Sequence, residues 1–264
     1  MRIMTEPSVH RPPDSTTGRV VQVLLAFSQG KSLLGVSDIA RSTGLSKAVT
    51  HRILQELGTN HLVVQDPSSR KYTLGNGAFA LSNAASAQSS LRKEGMAMLA
   101  ALSEDTGETT TLSARMGYRR TYIGQVESSQ LIRISVQVGL SLPLTVGASG
   151  HAMLAFLPQA DIENVLNRPV PALNERTETR PERIRERLCL VREHGYARTD
   201  SERVAESVSF AAPVFDAIGE VTGSLSIAAL ATRVDDDREA ELGRRVMDAA
   251  AHLTEQLGGH SPAH

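Results

Sequence analysis

The sequence predicts an α+β protein in two parts, a winged helix-turn-helix followed by a larger body of mixed strand and helix. Three observations predict it. Two helical stripes are joined by a turn containing glycine, and a short alternating hairpin with a charged tip follows at once. Beyond that hairpin, β-branched alternating runs interleave with helical ones between Gly, Pro and Asp breaks.

Residues 1–17 are rich in Pro, Ser and Thr and read as a flexible arm. Val20, Val23, Leu24 and Phe27 then recur at helical spacing, with Gly30 closing the helix. A short second helix over Val36–Arg41 takes Ser37 as its N-cap and runs out at Ser42-Thr43-Gly44. Ser46 caps a third, from Lys47 to Gly58. Its Val49, Ile53 and Leu57 form one face, and Lys47, Ala48, His51, Arg52 and Gln55 project from the other at 100° per residue. Leu62 and Val64 open a hairpin that breaks at Asp66-Pro67-Ser68-Ser69 and resumes at Arg70–Leu74, the wing, with Tyr72 packing into its base. A linking helix over Gly77–Ala87 and another over Leu91–Glu104 lead into the body. There, strands are expected at Thr109–Ala114, Thr121–Val126, Leu131–Val136, Ser209–Val214 and Val221–Ala228. Helices are expected at Gly150–Leu157, Asp161–Leu166, Pro181–His194 and Asp237–Leu257, the last opening on Asp235-Asp236-Asp237, acids that suit a helix start. The implied domains are an arm at 1–17, a winged helix at 18–75, a linker helix at 76–90, a body at 91–258 and a tail at 259–264.

Composition agrees. A chain of 264 residues, 41% hydrophobic and 22% charged, is globular rather than disordered and long enough for one large or two ordinary domains. No run approaches the length of a membrane helix, and the N-terminus lacks the apolar centre of a secretory signal, so a cytoplasmic location and no membrane partner are expected. One cysteine, Cys189, forms no intramolecular disulfide or cysteine-rich zinc cage, and its apolar neighbours suggest a buried thiol. Net charge is −1, yet residues 1–75 carry 9 Lys/Arg against 5 Asp/Glu, about +4, which leaves the remainder about −5. This asymmetry suits an anion-binding front segment. Aromatics at 3% disfavour stacking on single strands.

Four ordered motifs carry a resemblance. They are Gly35-Val36-Ser37-Asp38-Ile39-Ala40-Arg41 with Gly44–Leu57, then Tyr72-Thr73-Leu74-Gly75, then Pro143-Leu144 with Ala148–Ala155, and finally Gly195-Tyr196-Ala197 through Glu202 to Ala211–Asp216. The chain resembles the IclR family of bacterial transcription regulators over about Thr17–Leu257. It departs at His151, where Lys or Arg is usual, and at Glu206, where glycine is frequent. The resemblance implies a GAF-like effector-binding domain behind the winged helix. It further implies a homodimer or dimer of dimers on a palindromic double-stranded operator, acting as repressor or activator, and a small organic acid effector, aromatic acids included.

Candidate DNA-binding residues are Ser46, Lys47, Thr50, His51, Arg52 and Gln55 on the third helix, with Arg70 and Lys71 on the wing. Polar side chains on the outward face of a helix reach base edges or phosphates in the major groove; the alternative is an ordinary solvated face. In the body, Ala148-Ser149-Gly150 stands at a helix start, where N–H groups and the Ser149 hydroxyl could take an anion, or Ser149 could simply cap the helix. The resemblance carries the effector pocket onto Ala148, Ser149, Thr199, Asp200, Ser207, Ser209, Ser226 and Ala228. Glu202 either bonds the ligand or braces its loop, and Ser226 either bonds it or is a satisfied strand residue. Hydroxyls and N–H groups would hold a carboxylate without a fixed cation, with Asp200 and Glu202 facing a hydroxyl or amine at the ligand's other end.

Decoys are set aside. Gly75-Asn76-Gly77-Ala78-Phe79-Ala80 fits a dinucleotide fingerprint but follows a charged wing rather than a buried strand. Gly147-Ala148-Ser149-Gly150-His151 misses the nucleophile elbow at its last position. No catalytic residue, metal or cofactor is expected. The alternative reading is a small-molecule hydrolase or other enzyme with a winged-helix dimerisation module.

Overall fold

The computed structural model describes residues 15–28, 33–88 and 90–261, with residues 83–88 described by backbone alone. The chain divides into two units between Gln88 and Ser89. The arm up to Asp14, the helix stop at Gly30 and the tail beyond Ser261 lie outside the described residues, as do the side chains of Asn83–Ala87, part of the expected linking helix.

The first unit opens with α1 (Thr16–Leu25), capped by Ser15, whose Oγ accepts from the Gly18 N–H at 3.0 Å. The helix therefore starts inside the span read as an arm. It turns α2 (Val36–Thr43) and α3 (Lys47–Thr59) around a core of Val23, Phe27, Ile39, Leu54 and Leu57. Ser37 does not cap α2. Gly35 holds the extended cap position, and the Asp38 carboxylate accepts from the Gly35 N–H at 3.3 Å, which places Ser37 within the first turn. The wing is β1 (Val63–Gln65) antiparallel to β2 (Tyr72–Leu74), with Gln65 opposite Tyr72. Leu34 adds a bridge to Tyr72, which is buried against the helices. At the wing tip, Asp66 Oδ1 accepts from the hydroxyls of Ser68 and Ser69 and from the Ser69 N–H, and these bonds hold its carboxyl at about 2. After the wing comes α4 (Asn76–Gln88).

The second unit is built on a six-stranded antiparallel sheet, ordered β5-β4-β3-β8-β7-β6. Its strands are β3 (Thr109–Met116), β4 (Arg119–Val126), β5 (Ser141–Pro143), β6 (Ala197–Asp200), β7 (Ser207–Phe215) and β8 (Val221–Leu230). Successive side chains alternate between faces. Leu225 and Ile227 of β8, Phe210 and Ala212 of β7 and Leu112 of β3 therefore point together toward α5 (Ser90–Thr106) and α9 (Asp236–Gln256), where Leu99, Leu242 and Val246 meet them. The intervening residues face the other way. Near the ends of β7 and β8, Ala211, Phe215 and Val221 pack with α6 (Ala148–Leu154), α7 (Gln159–Leu166) and α8 (Pro181–His194). Nearer the middle, that same face carries Thr111, Ser226, Ala228 and Ser209, small or hydroxylated residues that leave room above the sheet.

Three expectations are corrected. Leu131–Val136 forms no strand. Leu131 and Ile132 stand 98% and 70% exposed, and only Ile134 and Val136 turn inward. The Ile134 carbonyl accepts from the Thr109 hydroxyl at 2.7 Å, so a side chain replaces a ladder partner. Strands β5 and β6 were not expected, being short and polar or proline-bearing. Cys189 is exposed, because α8 turns Ile184, Leu188 and Val191 inward and carries the thiol on its outer face. Among the described residues, no helix is long and apolar enough to cross a membrane.

Candidate functional site

The first candidate surface is built by α3. Gly44 ends α2 at φ 69°, a left-handed conformation that a side chain disfavours, and this permits the tight turn into Leu45 and Ser46. Ser46 Oγ then accepts from the Val49 N–H at 3.3 Å and fixes where α3 begins. From that start the helical period divides the residues. Thr50, Ile53, Leu54 and Leu57 are buried, while Lys47, Ala48, His51, Arg52 and Gln55 are exposed side by side. At the wing tip, Arg70 and Lys71 are exposed as well, Arg70 at φ 58°. Lys47, Arg52, Arg70 and Lys71 form no ion pair with any described residue. Thr50 does not belong to this surface. It is fully buried and its hydroxyl donates to the Ser46 carbonyl at 3.0 Å, because its angular position lies within the arc of Ile53, Leu54 and Leu57. Ser46 is exposed, with its hydroxyl engaged in the cap.

The second site is a cavity between the sheet and the start of α6. Ala148, Ser149, Thr199, Glu202, Ser207, Ser209, Ser226 and Ala228 all line it, although they come from four separate stretches of chain. Its volume is about 30 Å³, small for an organic molecule, so an organic ligand must widen it. A larger cleft of about 460 Å³ lies between β7 and α9. Its walls, including Phe156, Phe215 and Met247, are mostly apolar and include none of the expected site residues. The smaller cavity is the better candidate, because several polar groups converge in it.

Two expected pocket residues lie elsewhere. Asp200 is exposed: along β6 it alternates with Thr199, and it accepts from the Ser201 hydroxyl at 2.8 Å. Gly150 sits behind the wall, packed so closely on the Leu144 backbone that a Cβ would meet that carbonyl at 2.5 Å. At the start of α6, two of the N–H groups are already engaged. Gly147 N–H donates to Glu202 Oε2 at 3.0 Å and Ala148 N–H to Thr199 Oγ1 at 3.1 Å. Gly147 holds the cap position, which leaves Ser149 inside the helix rather than capping it. Glu202 is thus a brace. Its other oxygen pairs with Arg187, and the carboxylate is buried. Ser226 shares a 2.6 Å hydrogen bond with Thr111, and Ser207 donates to the Val204 carbonyl at 2.7 Å. The hydroxyls of Ser149 and Ser209 take part in no side-chain hydrogen bond among the described residues.

Sequence reasoning missed the cations. Arg120 is 1% exposed and lines the cavity together with Tyr122 and Arg203. Its guanidinium lies 4.6 Å from the Tyr122 ring centroid, with that of Arg203 at 5.6 Å. Burial raises the Tyr122 phenol, but the two guanidiniums outweigh it and bring the group below its usual range. The expectation of a pocket without a fixed cation is therefore corrected. The alternation Arg120-Thr121-Tyr122 was the available signal, hidden because the expected strand started at Thr121 rather than Arg119.

His151, one of the two departures from the resemblance, does not line the cavity. It is buried, with Nε2 at 2.9 Å from the Thr145 carbonyl. Burial pushes its pKa below the ordinary 6.5, against the opposing pull of Glu202 and the Thr145 carbonyl. The folded protein keeps this ring neutral at pH values where the unfolded chain protonates it. Its contribution to stability is therefore complete above about 6.5 and is lost as pH falls below that value. In urea titrations at about pH 7.5 and about pH 5.5, a His151→Gln variant is expected to lose less stability on acidification than the wild type. Equal losses would show that His151 does not supply this dependence.

Comparison with known proteins agrees with the two-part organisation. Residues 84–255 match the family model described as bacterial transcriptional regulator IclR C-terminal, and residues 16–67 match the IclR helix-turn-helix domain. The acetate operon repressor of Salmonella typhimurium is 28% identical over 262 residues, a match covering 94% of this chain and 96% of the repressor. A crystal structure of an IclR transcriptional regulator from a Silicibacter species matches at 31% identity and a TM-score of 0.85, covering 94% of this chain and 98% of that one. The fold is shared as well by an IclR homolog from Microbacterium hydrocarbonoxydans, solved in complex with 4-hydroxybenzoate. It matches at 22% identity and a TM-score of 0.72, covering 92% of this chain and 99% of that one.

Proposed function

The chain belongs to the IclR family of bacterial transcriptional regulators, and from that premise we propose how this member reads its operator and its effector. Regulators of this family bind DNA and small-molecule effectors and are not enzymes, which removes the hydrolase alternative. In our reading α3 enters the major groove with Lys47, His51, Arg52 and Gln55 toward bases and phosphates, while Arg70 and Lys71 hold the backbone or minor groove beside it. The exposed row of α3 cations without ion-pair partners, set by the Gly44 turn, carries this reading.

A single winged helix contacts few base pairs, so the operator is a palindrome met by a homodimer or a dimer of dimers, with residues 76–90 as the link between the two parts. Phe79 and Leu81 on α4, 67% and 62% exposed, support a place for α4 in the subunit contact. The outcome is repression, as in the acetate operon repressor. The effector is a small organic acid entering the cavity beside Ser149 and Ser209. The hydrogen-bonding capacity of those two hydroxyls supports that choice.

The test is a gel-shift assay on the DNA upstream of the chain's own gene, with and without candidate acids. The wild type should bind this DNA and change its binding with one class of acid. A Ser149→Leu variant should bind the DNA within about twofold of the wild type and lose the response to acid, since Leu fills a cavity that is already small. An unchanged response in the variant removes Ser149 from the pocket.

A further inference from the structure

The charges around the cavity do not balance within the chain. Arg120 is 1% exposed, deep in the second unit, and it meets no carboxylate among the described residues. Nη1 donates to the Ser113 hydroxyl at 3.3 Å, the Tyr122 phenol takes a further bond, and Nε has no acceptor. Arg203, half-buried and lining the same cavity, forms no ion pair among the described residues either. The one carboxylate lining the cavity, Glu202, is held by Arg187 and the Gly147 N–H, so its charge is already matched. His151 behind the wall is kept neutral by burial. Two guanidiniums thus share one small space with hydroxyls and a phenol, and among the described residues no unpaired carboxylate opposes them.

A buried cation facing neutral groups is costly, and an anion from outside relieves that cost. A single carboxylate would neutralise one guanidinium and leave the other uncompensated. We infer that the cavity takes a doubly anionic organic acid, one acidic group seated on Arg120 and the second on Arg203, with Ser149 and Ser209 donating to the same oxygens. The planar fork of each guanidinium suits a carboxylate in two-point contact. Both guanidiniums lie against the Tyr122 ring, at 4.6 and 5.6 Å from its centroid, which keeps the two cations beside the same cavity. This inference rests on the reading that the cavity is the effector site, and it narrows the acid to one with two charges.

Calorimetric titration of the full chain with matched acids tests it: succinate against butyrate, glutarate against valerate, and phthalate against benzoate. At least one dicarboxylate is expected to bind tenfold or more tightly than its monocarboxylate partner. The same dicarboxylate should bind at least tenfold more weakly to an Arg120→Gln variant, and binding to an Arg203→Gln variant should fall until the two members of the pair differ by less than about threefold. Because Arg120 is buried, the melting midpoint and operator binding of its variant are measured without ligand. Should that variant not fold, Arg203→Gln together with the wild-type pairs decides. A monocarboxylate that binds as well as its partner overturns the inference and leaves the effector reading standing. If no acid of either kind binds or alters operator binding, both fall.

Discussion

Replacing Lys47 and Arg52 together by alanine is expected to weaken operator binding at least a hundredfold while leaving the melting midpoint of the protein unchanged. Both side chains are exposed on α3 and engaged by no acid among the described residues, so their removal disturbs no described contact. Each well-placed contact to a base contributes about 1–3 kcal/mol of discrimination, and a hundredfold loss corresponds to about 2.7 kcal/mol. Phosphate contacts add a second signature, because every neutralised phosphate contributes about 0.9 to the slope of log affinity against log salt. The double variant should therefore show a shallower salt dependence as well as a weaker affinity. Fluorescence anisotropy on operator DNA across a salt series reads both quantities. Wild-type affinity in the double variant would remove α3 from the interface, and a lost affinity with an unaltered slope would make these residues readers of bases rather than of phosphates. Thr50→Val is the companion, since Thr50 is buried and should leave operator affinity within about twofold.

The largest loss of stability should come from Glu202→Ala. Its carboxylate is buried, joins Arg187 to the Gly147 N–H, and so ties the loop after β6 to the start of α6. Removing one partner of a buried pair typically costs about 3–5 kcal/mol, because the other charge stays behind unmatched. The Arg187 side chain is 37% exposed and can recover some hydration, which places the expectation near the lower end, about 3 kcal/mol. In a unit of this size, that lowers the melting temperature by roughly 6–12 °C. Arg187→Met in the same background should return part of the loss, since it removes the stranded cation. Calorimetry of the wild type, each single variant and the double variant checks this. A drop below about 1 kcal/mol for Glu202→Ala would mean that solvent screens the pair and that the brace is weak.

Much of the first unit was legible because its information is local. The glycine at position 44, the serine cap at 46 and the 100° period of α3 place Lys47, His51, Arg52 and Gln55 outward from a few neighbouring residues alone. The same period puts Thr50 inward, and only the motif it stands in had drawn it to the DNA surface. Alternation with Leu225 and Ile227 likewise bears on Ser226, while Ser209 and Ala228 came with the family resemblance, and the register of β7 and β8 puts all three on one side of the sheet.

The pocket depended on more distant relations. Arginine belongs on a surface by its hydration, and nothing near Arg120 in the chain announces that β3, α6 and the Glu202 loop close over it. Leu131–Val136 alternates like a strand, yet the Thr109 hydroxyl binds its Ile134 carbonyl, and no local pattern reports which partner a backbone group will find. Glu202 and Gly147 meet across 55 residues of sequence, and that contact turned a helix start that looked ready for a carboxylate ligand into one already holding the chain's own. By itself, then, the sequence determined the family, the α+β class and the outward face of α3, since periodicity and capping act within a turn or two of chain. Only the tertiary structure decided which polar groups of the pocket are satisfied internally and which charges are left for a ligand, because desolvation and pairing depend on every element packed around a group.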